Sequence, residues 1–246
     1  VLNMSKVYVV AAKRSALGSF SGTLANVNPA DFAAQVLKQT LEKSNIKGEW
    51  IDEVIIGHVL SAGQKQGLAR QISLNAGIPL SVPAYTLNMV CGSGMKSVMN
   101  AFTSIKAGLQ NLVVAGGVES MSQAPYLVQG YRNGVKMGAQ TMHDHILHDA
   151  LLDAFGGFHM GITAENIVEK HNFTREMQDA YAFNSQVKAI KAQDENLFAD
   201  EIVPIVIKSK KGDIIFDKDE YINRTTTLEK MSTLRPAFKQ DGSVTA

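Results

Sequence analysis

The chain has 246 residues, 45% hydrophobic, 19% charged and 7% aromatic, with a formal net charge of +1. That length supports one large domain or two modest ones with real cores, and ordinary usage of 20 Gly and 6 Pro excludes collagen-like and low-complexity classes. Twenty-four basic side chains against 23 acidic ones leave no strong field to hold a nucleic-acid backbone.

Val1, Leu2 and Asn3 precede Met4, which is expected to be the native start. Residues 7–12 form an apolar run far shorter than the ~18 residues of a membrane helix. Residues 7–11 are predicted as a buried strand, and no membrane partner is expected. A polar Gly/Ser-rich loop follows. Asn28 and Pro29 then supply an N-cap and a proline at the first helical position. Phe32, Ala33, Val36, Leu37 and Leu41 recur at helical spacing, which predicts a helix over 29–44. Strands are predicted at 54–59, 84–89 and 112–116, with helices at 67–76 and 92–107 between them. This alternation implies right-handed βαβ crossovers and a mostly parallel sheet covered by helices, an α/β class.

The pattern changes after Glu119. Residues 120–140 carry Gly130, Gly134 and Gly138 and read as a long loop. Helices are predicted at 141–155, at 163–171 and from the Thr174 cap to about 197. Residues 202–208 and 214–216 flank Lys210-Lys211-Gly212-Asp213 as a hairpin, with Pro204 on an edge strand. The expected division is a βαβ domain over 1–119 and an excursion over 120–246.

Cys91 is the only cysteine, so no intramolecular disulfide exists, which suits a reducing cytoplasmic setting. It lies in Asn88-Met89-Val90-Cys91-Gly92-Ser93-Gly94-Met95, where a predicted strand turns into a helix. A thiol at a helix N-terminus meets unpaired N–H groups and the positive end of the helix dipole, which favour a thiolate. The same donors suit an oxyanion formed when a thioester is attacked. A structural cysteine acting as a small hydrophobe is the other reading, and the residue pattern leaves both open.

The segment from Asn88 through Lys96 resembles the nucleophile segment of the thiolases, and Gly116-Gly117-Val118-Glu119-Ser120-Met121-Ser122 resembles their second Gly-rich signature. Arg14-Ser15-Ala16-Leu17-Gly18, Ala69-Arg70-Gln71, the run His159-Met160-Gly161 through Asn166, and Leu234-Arg235-Pro236-Ala237-Phe238 agree in the same order. The resemblance covers almost the whole chain and is greatest to the biosynthetic acetyl-CoA acetyltransferases. It implies the N-terminal half of a thiolase-like fold, with a βαβ domain and an α+β loop domain that holds coenzyme A. It also implies a second half beyond Ala246 carrying a catalytic His, a second catalytic Cys and a water-positioning Asn.

The chemistry so implied is a Claisen condensation of two acetyl-CoA to acetoacetyl-CoA plus CoA, or the reverse thiolysis, through an S-acetyl intermediate on Cys91. Coenzyme A thioesters would be substrates, with no cofactor, and the full-length protein would be a homodimer or homotetramer. Leu151, His159 and Met160 match positions near the pantetheine and thioester. Arg224, Ala237, Phe238 and Ala246 match stretches around the nucleotide end and arm. Without the second half, this stretch alone is expected to be inactive. A ketoacyl-synthase-like condensing enzyme and a non-catalytic acyl-CoA-binding or assembly fragment are the alternatives.

The remaining signals are weaker. His143-Asp144-His145, His148, Asp149 and Asp153 suggest a metal site, but the spacing better suits a polar helix face or subunit contact. Lys208-Ser209-Lys210-Lys211 reads as a solvated hairpin tip. Neither G-x-G-x-x-G nor G-x-x-x-x-G-K-[ST] occurs, which removes the main support for dinucleotide and P-loop readings. Met89, Met95, Met99 and Met160 are expected as core or pocket fillers.

Overall fold

The structure, a computed structural model, describes residues 6–246. The expected start at Met4 lies outside the described residues. The chain divides into two compact units, one running to Pro125 and taking in Asp200–Glu220, the other comprising Tyr126–Ala199 and Tyr221–Ala246. This differs from the expected split at 119/120, because the hairpin residues return to the first unit.

In the first unit, β1 (Arg14–Ser15) leads to α1 (Pro29–Lys43), capped as expected by the Asn28 side chain, which accepts from Ala30 N–H at 2.8 Å. Strand β2 (Glu53–Gly57), α2 (Leu68–Asn75), β3 (Ala84–Leu87), α3 (Ser93–Lys106) and β4 (Val113–Gly117) follow. The sheet has order β3-β2-β4 with parallel pairing on both sides of β2, from Val54 opposite Ala84 to Gly57 opposite Gly117. Parallel strands need crossover helices, and here α2 and α3 supply them.

The core forms where α1 and α2 cover β2. Val54, Ile56, Ala69 and Ile72 are buried there with Leu37, Leu41 and Ile78. Burying each large aliphatic side chain contributes roughly 1.5–3 kcal/mol. A second cluster joins Ala16 and Phe32 to Val203, Ile205 and Phe216. It forms because β7 (Ile202–Val203) pairs in parallel with β1, while β8 (Ile205–Ile207) pairs antiparallel with β9 (Ile214–Phe216). Pro204 divides the predicted strand into these two pieces. Gln35 and Gln39 of α1 bind the same stretch, donating to the Val206 and Pro204 carbonyls.

Two sequence expectations fail in this unit. Residues 7–11 form no strand, and Tyr8, Val9 and Val10 are 71%, 81% and 63% exposed. An apolar run becomes a buried strand only when another edge bonds its backbone, and among the described residues none pairs with it. On α3, the side chains turned inward are small: Ser93, Ser97 and Ala101. The large apolar residues expected as fillers, Met95 and Met99, face solvent, as does Met89.

The second unit contains β5 (Tyr126–Leu127) and β6 (His143–Asp144), paired antiparallel. It continues through α4 (Met160–His171), α5 (Arg175–Asp194) and α6 (Leu228–Ser232). The helix predicted over 141–155 is replaced by β6 and a single π-helical turn, Leu147–Leu151. Asp144 accepts the Ile146 N–H at 2.9 Å, and Leu152 N–H reaches back to the Leu147 carbonyl at 2.9 Å. The Asp144 side chain thus competes with the α-helical backbone pattern. Thr174 caps α5 as expected, accepting from Met177 N–H. Among the described residues, the buried apolar side chains of this unit are Ala192 and Val244.

Candidate active site

Cys91 is exposed at the turn from β3 into α3. The turn is tightly specified. Val90 has φ of 47°, a left-handed conformation rare for a β-branched residue. Asn88 Oδ1 accepts the Val90 N–H at 2.8 Å, the Ser93 hydroxyl donates to the Val90 carbonyl at 2.6 Å, and Met89 N–H donates to the Ser93 hydroxyl at 2.8 Å. Gly92 N–H and Ser93 N–H bond the Met89 and Val90 carbonyls. These bonds hold the strained residue in place and present the thiol at the head of the helix.

The base of the turn is set by close packing. A Cβ on Gly57 would run into the backbone of Ser93 and Gly94, so glycine lets α3 approach β2. The buried hydroxyl of Ser97 donates to the Gly94 and Gly116 carbonyls at 2.7 and 2.8 Å, linking α3 to β4.

Just beyond β2 the buried His58 meets Glu119, whose side chain stays partly exposed, a contact that sequence reasoning missed. His58 is 2% exposed, and its Nδ1 donates toward the Val118 carbonyl at 2.8 Å and Glu119 Oε1 at 3.1 Å. Glu119 also accepts the Val59 and Leu60 N–H groups at 3.0 and 2.9 Å. Burial opposes the charged imidazolium, but Glu119 and the Val118 carbonyl outweigh it and raise the His58 pKa. Burial likewise opposes the Glu119 carboxylate, but His58 and the two amides hold its pKa below the ordinary value. The signal available in the sequence was Glu119 itself, a carboxylate inside a Gly-rich segment.

The other expected site residues belong to the second unit. His159 caps α4, its Nδ1 accepting Gly161 N–H at 3.0 Å, which leaves Nε2 as the ring's donor. Phe238 stacks on the His159 ring with centroids 4.8 Å apart and planes at 18°. A Cβ on Gly161 would collide with the Phe238 ring, so glycine opens the seat that the aromatic occupies. Met160 begins α4 beside His159. Leu151 ends the π-helical turn, and the next residue, Leu152, bridges to the His159 backbone. Ala237 N–H bonds the Val244 carbonyl at 2.9 Å, and Ala246 follows, exposed. His159, Met160, Ala237 and Phe238 therefore gather around the first turn of α4.

Arg224 lies elsewhere in this unit. Its guanidinium donates to Asp194 at 2.7 and 3.2 Å and to Gln193 at 2.8 Å, and it holds the Asp194 carboxyl below its usual range. In the His/Asp cluster read from the sequence as a polar helix face, His145 and His148 both bond Asp149, at 2.5 and 2.7 Å, and His143 lies against the His148 ring. Among the described residues, no group of three or more His, Cys, Asp or Glu is arranged to hold a metal ion. None of the described helices is long and apolar enough to cross a membrane.

Comparison with known proteins identifies the family of the chain. Residues 7–246 match the family described as thiolase, N-terminal domain. Proteins named probable acetyl-CoA acyltransferase from Staphylococcus epidermidis and Staphylococcus aureus are 47% identical over 244 residues, 99% of this chain and 62% of theirs. The crystal structure of the Bacillus anthracis acetyl-CoA acetyltransferase superposes with a TM-score of 0.92 at 40% identity, over 96% of this chain and 60% of that one. The chain thus spans about 62% of the length of the curated relatives it matches.

Proposed function

Because the chain belongs to the thiolase family, we propose that it carries the nucleophile of an acyl transfer between coenzyme A thioesters. The observation that carries this is Cys91, exposed on a strained strand-to-helix turn whose conformation is held by Asn88 and Ser93. The thiolate would attack the carbonyl of acetyl-CoA, forming a C–S bond to the enzyme and expelling CoA as its thiolate. A second acetyl-CoA, deprotonated at its α-carbon, would then attack the S-acetyl group. Acetoacetyl-CoA forms as the C–S bond to Cys91 breaks, and thiolysis is the same path reversed.

The group around α4 suits the acyl-CoA arm. An aromatic ring, a methionine and an imidazole with one outward donor offer apolar contact for a pantetheine chain and a hydrogen bond for a carbonyl. Ala237 adjoins this group through Phe238, Leu151 adjoins it in sequence through the Leu152 bridge, and Ala246 and Arg224 are assigned to the arm and the nucleotide end. Coenzyme A thioesters are substrates in this reading, with no separate cofactor. A cytoplasmic protein that assembles as a homodimer or homotetramer completes it.

The test is acetyl transfer. After incubation with acetyl-CoA and peptide mapping by mass spectrometry, one acetyl group is expected on Cys91 and none in Cys91→Ala. An unmodified Cys91 in the parent overturns the assignment.

A further inference from the structure

Glu165 has no role in the chemistry above, yet it is 3% exposed. A carboxyl group is rarely buried unless its oxygens are bonded. Here one oxygen, Oε1, accepts two backbone N–H groups, from Ser243 at 2.9 Å and Val244 at 2.8 Å. Gln178 of α5 donates to the Ser243 hydroxyl at 2.9 Å and secures the same stretch. The Val244 carbonyl in turn accepts Ala237 N–H, which closes residues 237–244 into a loop. Phe238, at the near end of that loop, sits over Gly161 and stacks on His159. Both ends of the loop are thus fastened to α4, the ring at its first turn and the amides near its middle. Apolar burial adds little, since Val244 is the loop's only buried apolar side chain among the described residues.

We infer that Glu165 is a positioning residue for the coenzyme A arm, fixing the loop that carries Ala237 and Phe238 against His159 without touching the ligand. The inference rests on the coenzyme A reading given above. Removing the acceptor leaves two N–H groups without their partner, and the loop must open to hydrate them.

Calorimetric titration of the full chain with coenzyme A tests this, paired with hydrogen exchange at the Ser243 and Val244 amides. In Glu165→Ala, both amides exchange faster and the dissociation constant rises about tenfold or more, the loss of one or two bonds to a charged acceptor. Glu165→Gln keeps a side-chain oxygen at the same place and restores affinity to within about threefold. If Glu165→Ala fails to fold by circular dichroism, Gln178→Ala is the readout, with an expected weakening of about threefold from one lost neutral bond. Parental affinity in a folded Glu165→Ala, or in Gln178→Ala where that is the readout, overturns the inference. So does a Glu165→Gln variant as weak as the alanine. A parent chain that does not bind coenzyme A overturns the coenzyme A reading and this inference with it; slow amide exchange in that chain shows that the loop is nevertheless closed.

Discussion

Val90 holds a φ of 47°, which costs a β-branched residue of order 1–3 kcal/mol, and Ser93 does most to keep it there. Ser93 is 3% exposed, and its hydroxyl bonds the Val90 carbonyl and the Met89 amide. Ser93→Ala is expected to destabilise the first unit by about 1 kcal/mol, because two part-buried hydrogen bonds to the Met89 and Val90 backbone are lost; urea unfolding followed by circular dichroism checks it. The His58–Glu119 pair makes a prediction in pH. The His58 pKa is raised from 6.5, so its contribution is complete below 6.5 and is lost as pH rises through the raised value. Glu119 is lowered from 4.5, so its contribution is present above 4.5 and is lost as pH falls through the lowered value. The pair therefore stabilises most between those ordinary values. In His58→Asn, which keeps a donor for the Val118 carbonyl, the decline in urea midpoint above pH 6.5 should flatten. The strand-to-helix turn that presents Cys91 was legible in the sequence. The strain at Val90 was not, since no local pattern announces a branched residue at positive φ, and the partners of buried His58 and Glu165 come from residues distant in sequence.

Helix α3 stands close to β2 because Gly57 presents no side chain to it. In Gly57→Ala the new methyl meets backbone, which cannot rotate away, so α3 must shift; the expected loss is about 1–3 kcal/mol. Iodoacetamide labelling of Cys91 should change rate in the same variant, because the displaced segment starts two residues after the thiol. A variant that matches the parent in both unfolding and labelling would show that the contact is slack. At this scale the strand–helix alternation was readable to within a few residues, because strands and crossover helices carry different periodicities. The failures share a physical cause. Residues 7–11 have the composition of a strand but no pairing edge, and 141–155 have helical spacing, but Asp144 bonds the next turn locally. On α3 the apolar stripe and the packed face differ, because close approach to the sheet selects Ser93, Ser97 and Ala101.

The outward side of α3 carries Met95, Val98, Met99 and Phe102, exposed by 73%, 50%, 51% and 51%. A patch of this kind promotes self-association. Light scattering of the 246-residue chain is expected to show species larger than a monomer, increasing with concentration; a monodisperse monomer over a wide concentration range would contradict this. The division of the chain was the least legible feature at this scale. Arg14–Ser15 and Ile202–Val203 lie side by side although 187 or more residues apart, and composition carries no record of such a pairing.

That pairing has a consequence for how the protein is made. Phe32 leaves the ribosome long before Val203, Ile205 and Phe216, the residues that bury it. At roughly 5–20 residues per second, the interval is on the order of ten seconds or more. During synthesis the α1–α2–β2 core can close on its own residues, while the Phe32 side of α1 stays wet until the hairpin emerges. The nascent chain is therefore most vulnerable to chaperone capture or proteolysis during the window in which the second unit is being translated.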